Sequence, residues 1–188
     1  KDYFLSIRSL DRQVGGLSSL TPVQRASRFI YLNRTAFNGL YRVNAKGQFN
    51  VPFGRYKNPA IVDADTIYSC SKALQKVTIS CSSFDKLLPQ TNEGDFIYLD
   101  PPYIPLNKTS YFTSYSQTGF GHTEQQKLAD LVRDMDKRGV RFLASNAYVP
   151  ELNNLYSGFT IIEVQATRAI NANKDGRHAI SEALITNI

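Results

Sequence analysis

Apolar and polar positions along this chain follow two periods, and the switches between them outline its elements. Thr21-Pro22-Val23-Gln24 combines a capping box with proline at the first helical position, and Val23, Ala26, Phe29 and Ile30 then recur on one helical face. This predicts a helix from about Pro22 to about Ala36. Lys1 to Leu20 has no clean period and reads as a short helix or irregular arm running into a loop. From Phe37 to Lys57 the pattern becomes aromatic, basic and glycine-punctuated. There Leu40-Tyr41-Arg42-Val43 and Gln48-Phe49-Asn50-Val51 flank Asn44-Ala45-Lys46-Gly47, a hairpin whose loop closes on glycine.

Asp63 or Asp65 can cap a following helix that carries Ile67 and Leu74, and Val77 to Cys81 is a candidate strand. Phe96-Ile97-Tyr98-Leu99 is an unbroken apolar run of the kind that forms a fully buried parallel strand. Tyr111 to Gly121 is an aromatic and polar loop. Thr123 with Gln126 forms a second capping box, and Leu128, Leu131, Val132 and Met135 make an amphipathic stripe that stops at Gly139. Val140–Ala144, Phe159–Val164 and Glu182–Asn187 read as strands. Strand, helix and strand in succession call for a right-handed crossover in a largely parallel α/β sheet, and the last two strands look like an antiparallel pair.

Composition narrows this picture. The chain has 188 residues, 42% of them hydrophobic, which is enough for one sizeable core or a core with a small module. A net charge of +6 favours a polyanionic partner. Cys70 and Cys81 are the only cysteines and have no ligand spacing, which fits a reducing, cytoplasmic compartment and argues against a structural metal. No apolar stretch approaches the roughly 20 residues needed to span a bilayer, and Lys1-Asp2-Tyr3 has no secretory pattern. Met135 is the single methionine, so position 1 reads as an internal residue of a longer or processed polypeptide.

The candidate chemistry lies at Asp100-Pro101-Pro102-Tyr103, directly after the apolar run Phe96–Leu99. A parallel sheet presents its ligand site outside the carboxyl ends of its strands, where this motif puts a carboxylate, a stiff turn and an aromatic ring. That set suits a flat base bearing an amino group. The amino nitrogen of adenine is a poor nucleophile because its lone pair is delocalised into the ring. Two acceptors around it, the Asp100 carboxylate and a backbone carbonyl near Pro101, would take both protons and leave the lone pair facing an electrophile. Tyr103 can lie against the ring face and fix it in line. This needs neither a metal nor a covalent nucleophile. A cytosine carbon methyltransferase would need a nucleophilic cysteine in a proline-cysteine turn, and none occurs. His122 and His178 sit in no suggestive partner pattern and read as surface or structural residues.

On these residues the chain resembles the DNA adenine-N6 methyltransferases of the Dam family. Besides DPPY, RTAFNGLYRVNAKGQFNVPFGRYK resembles the family's target-recognition hairpin, and FTSYSQTGF the loop after its catalytic motif. ATRAINANKDGRHAISEALITN resembles the family's closing hairpin. The resemblance implies a Rossmann-like S-adenosylmethionine-dependent methyltransferase sheet with an inserted helical and β-hairpin target-recognition region. It places the DNA-reading part in residues 1–62, with the hairpin at 37–57, and a partial catalytic core in residues 63–188. The implied reaction is methyl transfer from S-adenosylmethionine to N6 of adenine in double-stranded DNA, usually within GATC.

Carried over by position, Asp100, Pro101, Pro102 and Tyr103 would hold a flipped adenine, extruded from the duplex at a cost of about a few kcal/mol. Phe37, Asn38 and Leu40 match residues that enter or border the gap left in the stack. Arg42 matches a base-reading arginine, whose fork suits guanine for about 1–3 kcal/mol of discrimination, and Pro52 would meet a thymine methyl. Arg34, Asn44, Asn50, Arg55 and Lys57 match or neighbour backbone-contacting positions. Ser83 and Phe84, with Asp100, match positions around the cofactor. The family also predicts a glycine-rich turn after a first strand. Gly15-Gly16 follows Asp11-Arg12-Gln13-Val14 rather than an apolar strand, so the chain reads as beginning after the family's first strands and lysine-bearing segment. The strand ending at Asp100 would then have an unpaired apolar edge. The reading from another class is a noncatalytic DNA-binding remnant that keeps the hairpin.

Overall fold

The computed structural model describes residues 1–105, 120–167 and 179–188. The loop FTSYSQTGF, except its last residue, the turn of the closing hairpin and His178 lie outside the described residues. The chain divides into two compact units, Lys1–Ile79 and Ser80–Ile188.

In the first unit, helix α1 (Asp2–Ser9) leads through two short 3-10 turns to helix α2 (Pro22–Thr35). The capping box forms as the sequence predicts: Thr21 accepts from the Gln24 amide, and the Gln24 side chain accepts from the Thr21 amide. The buried face of α2 is not the predicted one. Val23 is 75% exposed and Phe29 is exposed, whereas Arg28, Leu32 and Thr35 are buried. An apolar-periodicity reading overlooks a buried arginine. Here Arg28 can be buried because two backbone carbonyls and the Asp11 carboxylate complement its guanidinium. Phe4, Leu32, Ala36, Phe49 and Val51 form the core of this unit.

The hairpin is present but irregular, with a single antiparallel bridge between Val43 and Phe49. Its loop is drawn closed by Asn44, whose side-chain oxygen accepts from the amides of Lys46 and Gln48, and Gly47 takes φ +73°, where a side chain would be strained. After it, residues 52–54 pair with the end of α2: Phe37 donates to the Pro52 carbonyl and Gly54 to the Thr35 carbonyl. A Cβ at Gly54 would lie 2.8 Å from the Ala36 oxygen, so only glycine permits this approach. Helix α3 (Ala64–Leu74) is capped by Asp63, which accepts from the Thr66 amide at 3.0 Å. That bond and the Thr66 hydroxyl bond hold the Asp63 carboxyl below its usual range. The expected strand over Val77–Cys81 does not form. Val77 and Ile79 are exposed and no described strand lies beside them, and β-propensity without a partner does not make a strand.

In the second unit, a short helix α4 (Phe84–Leu87) precedes strand β1 (Phe96–Leu99). Helix α5 (His122–Lys137) then leads to β2 (Arg141–Ala147), α6 (Glu151–Leu155), β3 (Thr160–Thr167) and β4 (Ala179–Thr186). The sheet order is β1-β2-β4-β3. β1 and β2 are parallel, as the crossover through α5 requires, while β4 runs antiparallel to both its neighbours. One of the three described pairings is therefore parallel, fewer than the largely parallel sheet expected, because β4 returns between β2 and β3. β1 is also not the fully buried strand its composition predicts. Among the described residues it pairs on one side only, and Phe96 and Tyr98 stand 55% and 58% exposed while Ile97 and Leu99 pack inward.

α5 begins at His122, so Thr123 and Gln126 do not form its cap. Instead Glu124 reaches back to accept from the Gly121 amide at 2.9 Å. Its stripe of Leu128, Val132 and Met135 is buried as predicted, but so is Gln125. The remaining core comes from Phe142, Ala144, Leu152, Tyr156, Ala183 and Ile185.

Candidate active site and nucleic-acid interface

Asp100 follows the last residue of β1, and the end of β2 lies beside it. Leu99 is level with Ala144 in the parallel register, so Ser145 comes next to Asp100. The Ser145 hydroxyl donates to Asp100 Oδ1 at 2.9 Å and so fixes one face of the carboxylate. Tyr103 is 37% exposed, its hydroxyl 3.4 Å from Glu182 Oε2 on β4. Partial burial raises the Tyr103 pKa, and the charges of Glu182 and Asp100 add to it, against a Ser145 hydrogen bond that lowers it. The phenol therefore stays neutral and able to donate.

The backbone of this turn is held from beneath. Gln125 Nε2 donates to the Pro102 carbonyl at 2.7 Å, and Asn146 Oδ1 accepts from the Ile104 amide at 2.8 Å. Asn146 Nδ2 then reaches Gln125 Oε1 at 3.3 Å, so the two buried amides also bind each other. Pro101, Pro102 and Tyr103 are left at the surface or half-buried, while Ile104 anchors in the core. The two prolines remove amide donors, so Asn146 and Gln125 bind the remaining polar groups of the turn that face inward.

Ser83 and Phe84 open α4. Ser83 is exposed, and Phe84 is half-buried against Phe120, ring centres 5.6 Å apart, with Lys127 Nζ 5.9 Å from its centroid. Lys127 also pairs with Asp85, whose pKa this hydrogen bond lowers. Among the described residues no group of three or more His, Cys, Asp or Glu is arranged to hold a metal ion.

All ten residues expected at DNA belong to the first unit, and none is buried. Phe37, Asn38 and Leu40 project from a tight turn in which Asn38 takes φ +53° and the Asn33 side chain holds the Gly39 carbonyl. Phe37 and Leu40 are 46% and 37% exposed. Arg42 and Asn50 stand opposite each other on the outer face of the hairpin, with Arg42 Nε donating to Asn50 Oδ1 at 2.8 Å. That bond uses Nε alone of the guanidinium nitrogens, and Arg42 is exposed. Asn44 is used in closing the loop, and Arg34, Pro52, Arg55 and Lys57 are exposed.

A family model for D12 class N6 adenine-specific DNA methyltransferases matches residues 1–170. The chain belongs to that family. It is 46% identical over its whole length to a type II methyltransferase, M1.LlaDCHI, of Lactococcus lactis, and 48% identical over 88% of its length to M.MjaIII of Methanocaldococcus jannaschii. It is 38% identical over 98% of its length to a DNA adenine methylase of Vibrio cholerae. The D12 chain spans 66%, 58% and 65% of the lengths of these relatives respectively. No helix among the described residues is long and apolar enough to cross a membrane.

Four residues that frame the strand-end turn of this D12 methyltransferase chain were not singled out from sequence: Ser145, Asn146, Gln125 and Glu182. Ser145 and Asn146 lie beyond the apolar part of β2, where the strand prediction stopped at Ala144. Gln125 lies on the amphipathic stripe itself, three residues before Leu128, but as a polar residue it adds nothing to an apolar period. The available signal was polar residues continuing an apolar strand at a carboxyl end, the position where α/β sheets present ligand sites.

Proposed function

We propose that this chain carries the adenine-holding and DNA-reading parts of an enzyme that transfers a methyl group from S-adenosylmethionine to N6 of an adenine flipped out of duplex DNA, within GATC. The observation that carries the reading is the Asp100 carboxylate, oriented by Ser145 at the end of β1 beside a turn whose inward groups are already bound.

Because Gln125 occupies the Pro102 carbonyl, the backbone acceptor offered to the adenine amino group is the Pro101 carbonyl. Asp100 accepts the other amino proton. With both protons held in hydrogen bonds, the nitrogen lone pair turns out of the ring, toward the methyl donor. Tyr103 stacks on the base and keeps it in line. S-adenosylmethionine, when bound, supplies the methyl group and leaves with the electron pair of the broken sulfur–carbon bond. N6 becomes strongly acidic as its new bond to carbon forms, and the Asp100 carboxylate, already at that hydrogen, takes the proton. Ser83 and Phe84 receive the adenosine end of the cofactor. In the other unit, the Arg42 fork reads guanine while Phe37, Asn38 and Leu40 fill the gap in the stack. Arg34, Asn44, Asn50, Arg55 and Lys57 steady the hairpin on phosphates, and Pro52 meets a thymine methyl.

The test is transfer of tritiated methyl from S-adenosylmethionine by the intact protein to a GATC duplex, with the same duplex already N6-methylated as control. Incorporation confined to the unmethylated duplex is the expected result. Duplex binding without incorporation overturns the enzymatic reading and leaves the DNA-binding remnant.

A further inference from the structure

The hairpin bridge is of the kind in which Val43 and Phe49 face each other without bonding. Asn44 donates to the Gln48 carbonyl and Asn50 to the Arg42 carbonyl on either side of it. The amide and carbonyl of Phe49 therefore point away from the partner segment, as open edge groups. Both are taken by side chains from the amino-terminal arm. Asp11 Oδ2 accepts from the Phe49 amide at 2.7 Å, and Arg12 Nη2 donates to the Phe49 carbonyl at 2.6 Å. Behind them Arg28 Nη2 donates to the same Asp11 oxygen at 2.8 Å and to the Arg8 carbonyl at 2.9 Å, while its Nε binds the Ile7 carbonyl at 3.0 Å. Arg12 also pairs with Asp11 Oδ1.

The side chains of Asp11 and Arg28 are each 5% exposed, so the pair is buried. Burying an ion pair gains little in bulk stability over well-packed apolar residues. What this pair does geometrically is recognise one register. A one-residue slip would present the inward-facing groups of Gln48 or Asn50 to Asp11 and Arg12, and would turn Phe49 out of the core. Asn50, the next residue, holds Arg42 Nε. The position of the guanidinium fork thus follows from where Phe49 is held.

We infer that Asp11 and Arg28, with Arg12 beside them, are specificity-positioning residues for DNA reading: they fix the hairpin edge at Phe49 and through it the aim of Arg42. The inference rests on the proposed DNA-reading role of the hairpin. Asp11 and Arg28 are buried away from the surface, so their loss acts on discrimination rather than on general affinity for the polyanion.

The experiment first selects, from a randomised pool of duplexes, the site that the intact wild-type protein prefers. Dissociation constants are then measured for that duplex and for versions with single base pairs exchanged, for wild type, Asp11→Ala and Arg42→Ala. Asp11→Ala is expected to lower discrimination about tenfold, toward the Arg42→Ala value, with affinity for the exchanged duplexes within about twofold of wild type. A merely structural role reduces the folded fraction and weakens every duplex equally, and that result overturns the inference. If Asp11→Ala does not fold, the test passes to Arg12→Ala, whose side chain is 31% exposed and whose removal leaves the buried pair intact. It is expected to lose discrimination about threefold, and an unchanged ratio overturns the inference. A wild-type protein that selects no site overturns the DNA-reading role and the inference together, so the two failures fall in different arms.

Discussion

The hairpin of the first unit and the Asp100–Ile104 turn of the second are both irregular backbone, yet different chemistry holds them. A buried ion pair and a second arginine grip the hairpin through both backbone groups of Phe49. Two neutral amides grip the turn, at the Pro102 carbonyl and the Ile104 amide. The difference has a physical reason. The turn carries a carboxylate, Asp100, and neutral amides bind its backbone without placing a further charge beside it. The hairpin carries exposed cations, Arg42 and Lys46, and the Asp11–Arg28 pair that holds it is neutral overall.

The contrast can be broken most strongly at Arg28. Arg28→Ala leaves the Asp11 carboxylate buried without its partner, and denaturant unfolding should show a loss of about 3–5 kcal/mol. Replacing both partners by apolar residues of similar size should cost far less, and equal losses would mean that the site does not depend on charge. Next is Asp100→Ala, expected to reduce methyl transfer by about 10²–10³-fold, in line with the loss of one preorganised transition-state contact, while duplex affinity stays within about twofold. Parallel losses of both would remove Asp100 from the chemistry.

The neutral clasp is tested at Asn146 and Gln125. Asn146→Ala orphans the buried Ile104 amide and should destabilise the second unit by about 1–3 kcal/mol in thermal or denaturant unfolding. Gln125→Glu keeps the shape and makes the clasp titratable. Burial raises the pKa of the introduced carboxyl, whose protonated form can still donate to the Pro102 carbonyl and whose ionised form cannot. The variant's transfer rate relative to wild type should therefore fall as pH rises, and a flat ratio would show that the clasp does not set the turn.

The smallest effect at neutral pH is expected for Tyr156→Phe. The Tyr156 hydroxyl is buried and has no hydrogen-bond partner among the described residues, so its removal should change stability by less than about 1 kcal/mol. Burial pushes the Tyr156 pKa up to about 12, against the opposing charge of Arg133. The folded state therefore holds this proton after the unfolded chain has released it near pH 10. Its contribution is intact below that pH and is lost between about pH 10 and 12, at about 1.4 kcal/mol per pH unit. Wild type should fall below Tyr156→Phe in stability across that window alone, and parallel curves would show that the hydroxyl is solvated.

Local patterns made much of the fold legible. The α2 capping box, the hairpin loop closing on Gly47 and the stripe of α5 follow from residues within a few positions of each other. Asp100 to Tyr103 stood out because an apolar run ends directly on it. Reading failed where a partner is distant in sequence. Val77–Cys81 has strand composition and no strand beside it, β1 turned out to be one-sided, and the buried face of α2 is centred on an arginine whose partner is Asp11. Polar residues that tertiary contacts bury, such as Gln125 and Asn146, carry no apolar signal for periodicity to detect.

The sequence by itself determined which groups this protein carries at the strand end and on the hairpin: the Asp100 carboxylate, the proline-stiffened turn, the Tyr103 ring and the basic, aromatic hairpin. Side-chain chemistry and local stiffness are properties of a residue and its neighbours. Only the tertiary structure decided what aims them. Ser145 on Asp100, the amides beneath Pro102 and Ile104, and the Asp11–Arg28 pair behind Phe49 are hydrogen bonds between segments 17 to 45 residues apart. A hydrogen bond is short and directional, so such partners exist only once the chain has folded and placed them within 3 Å.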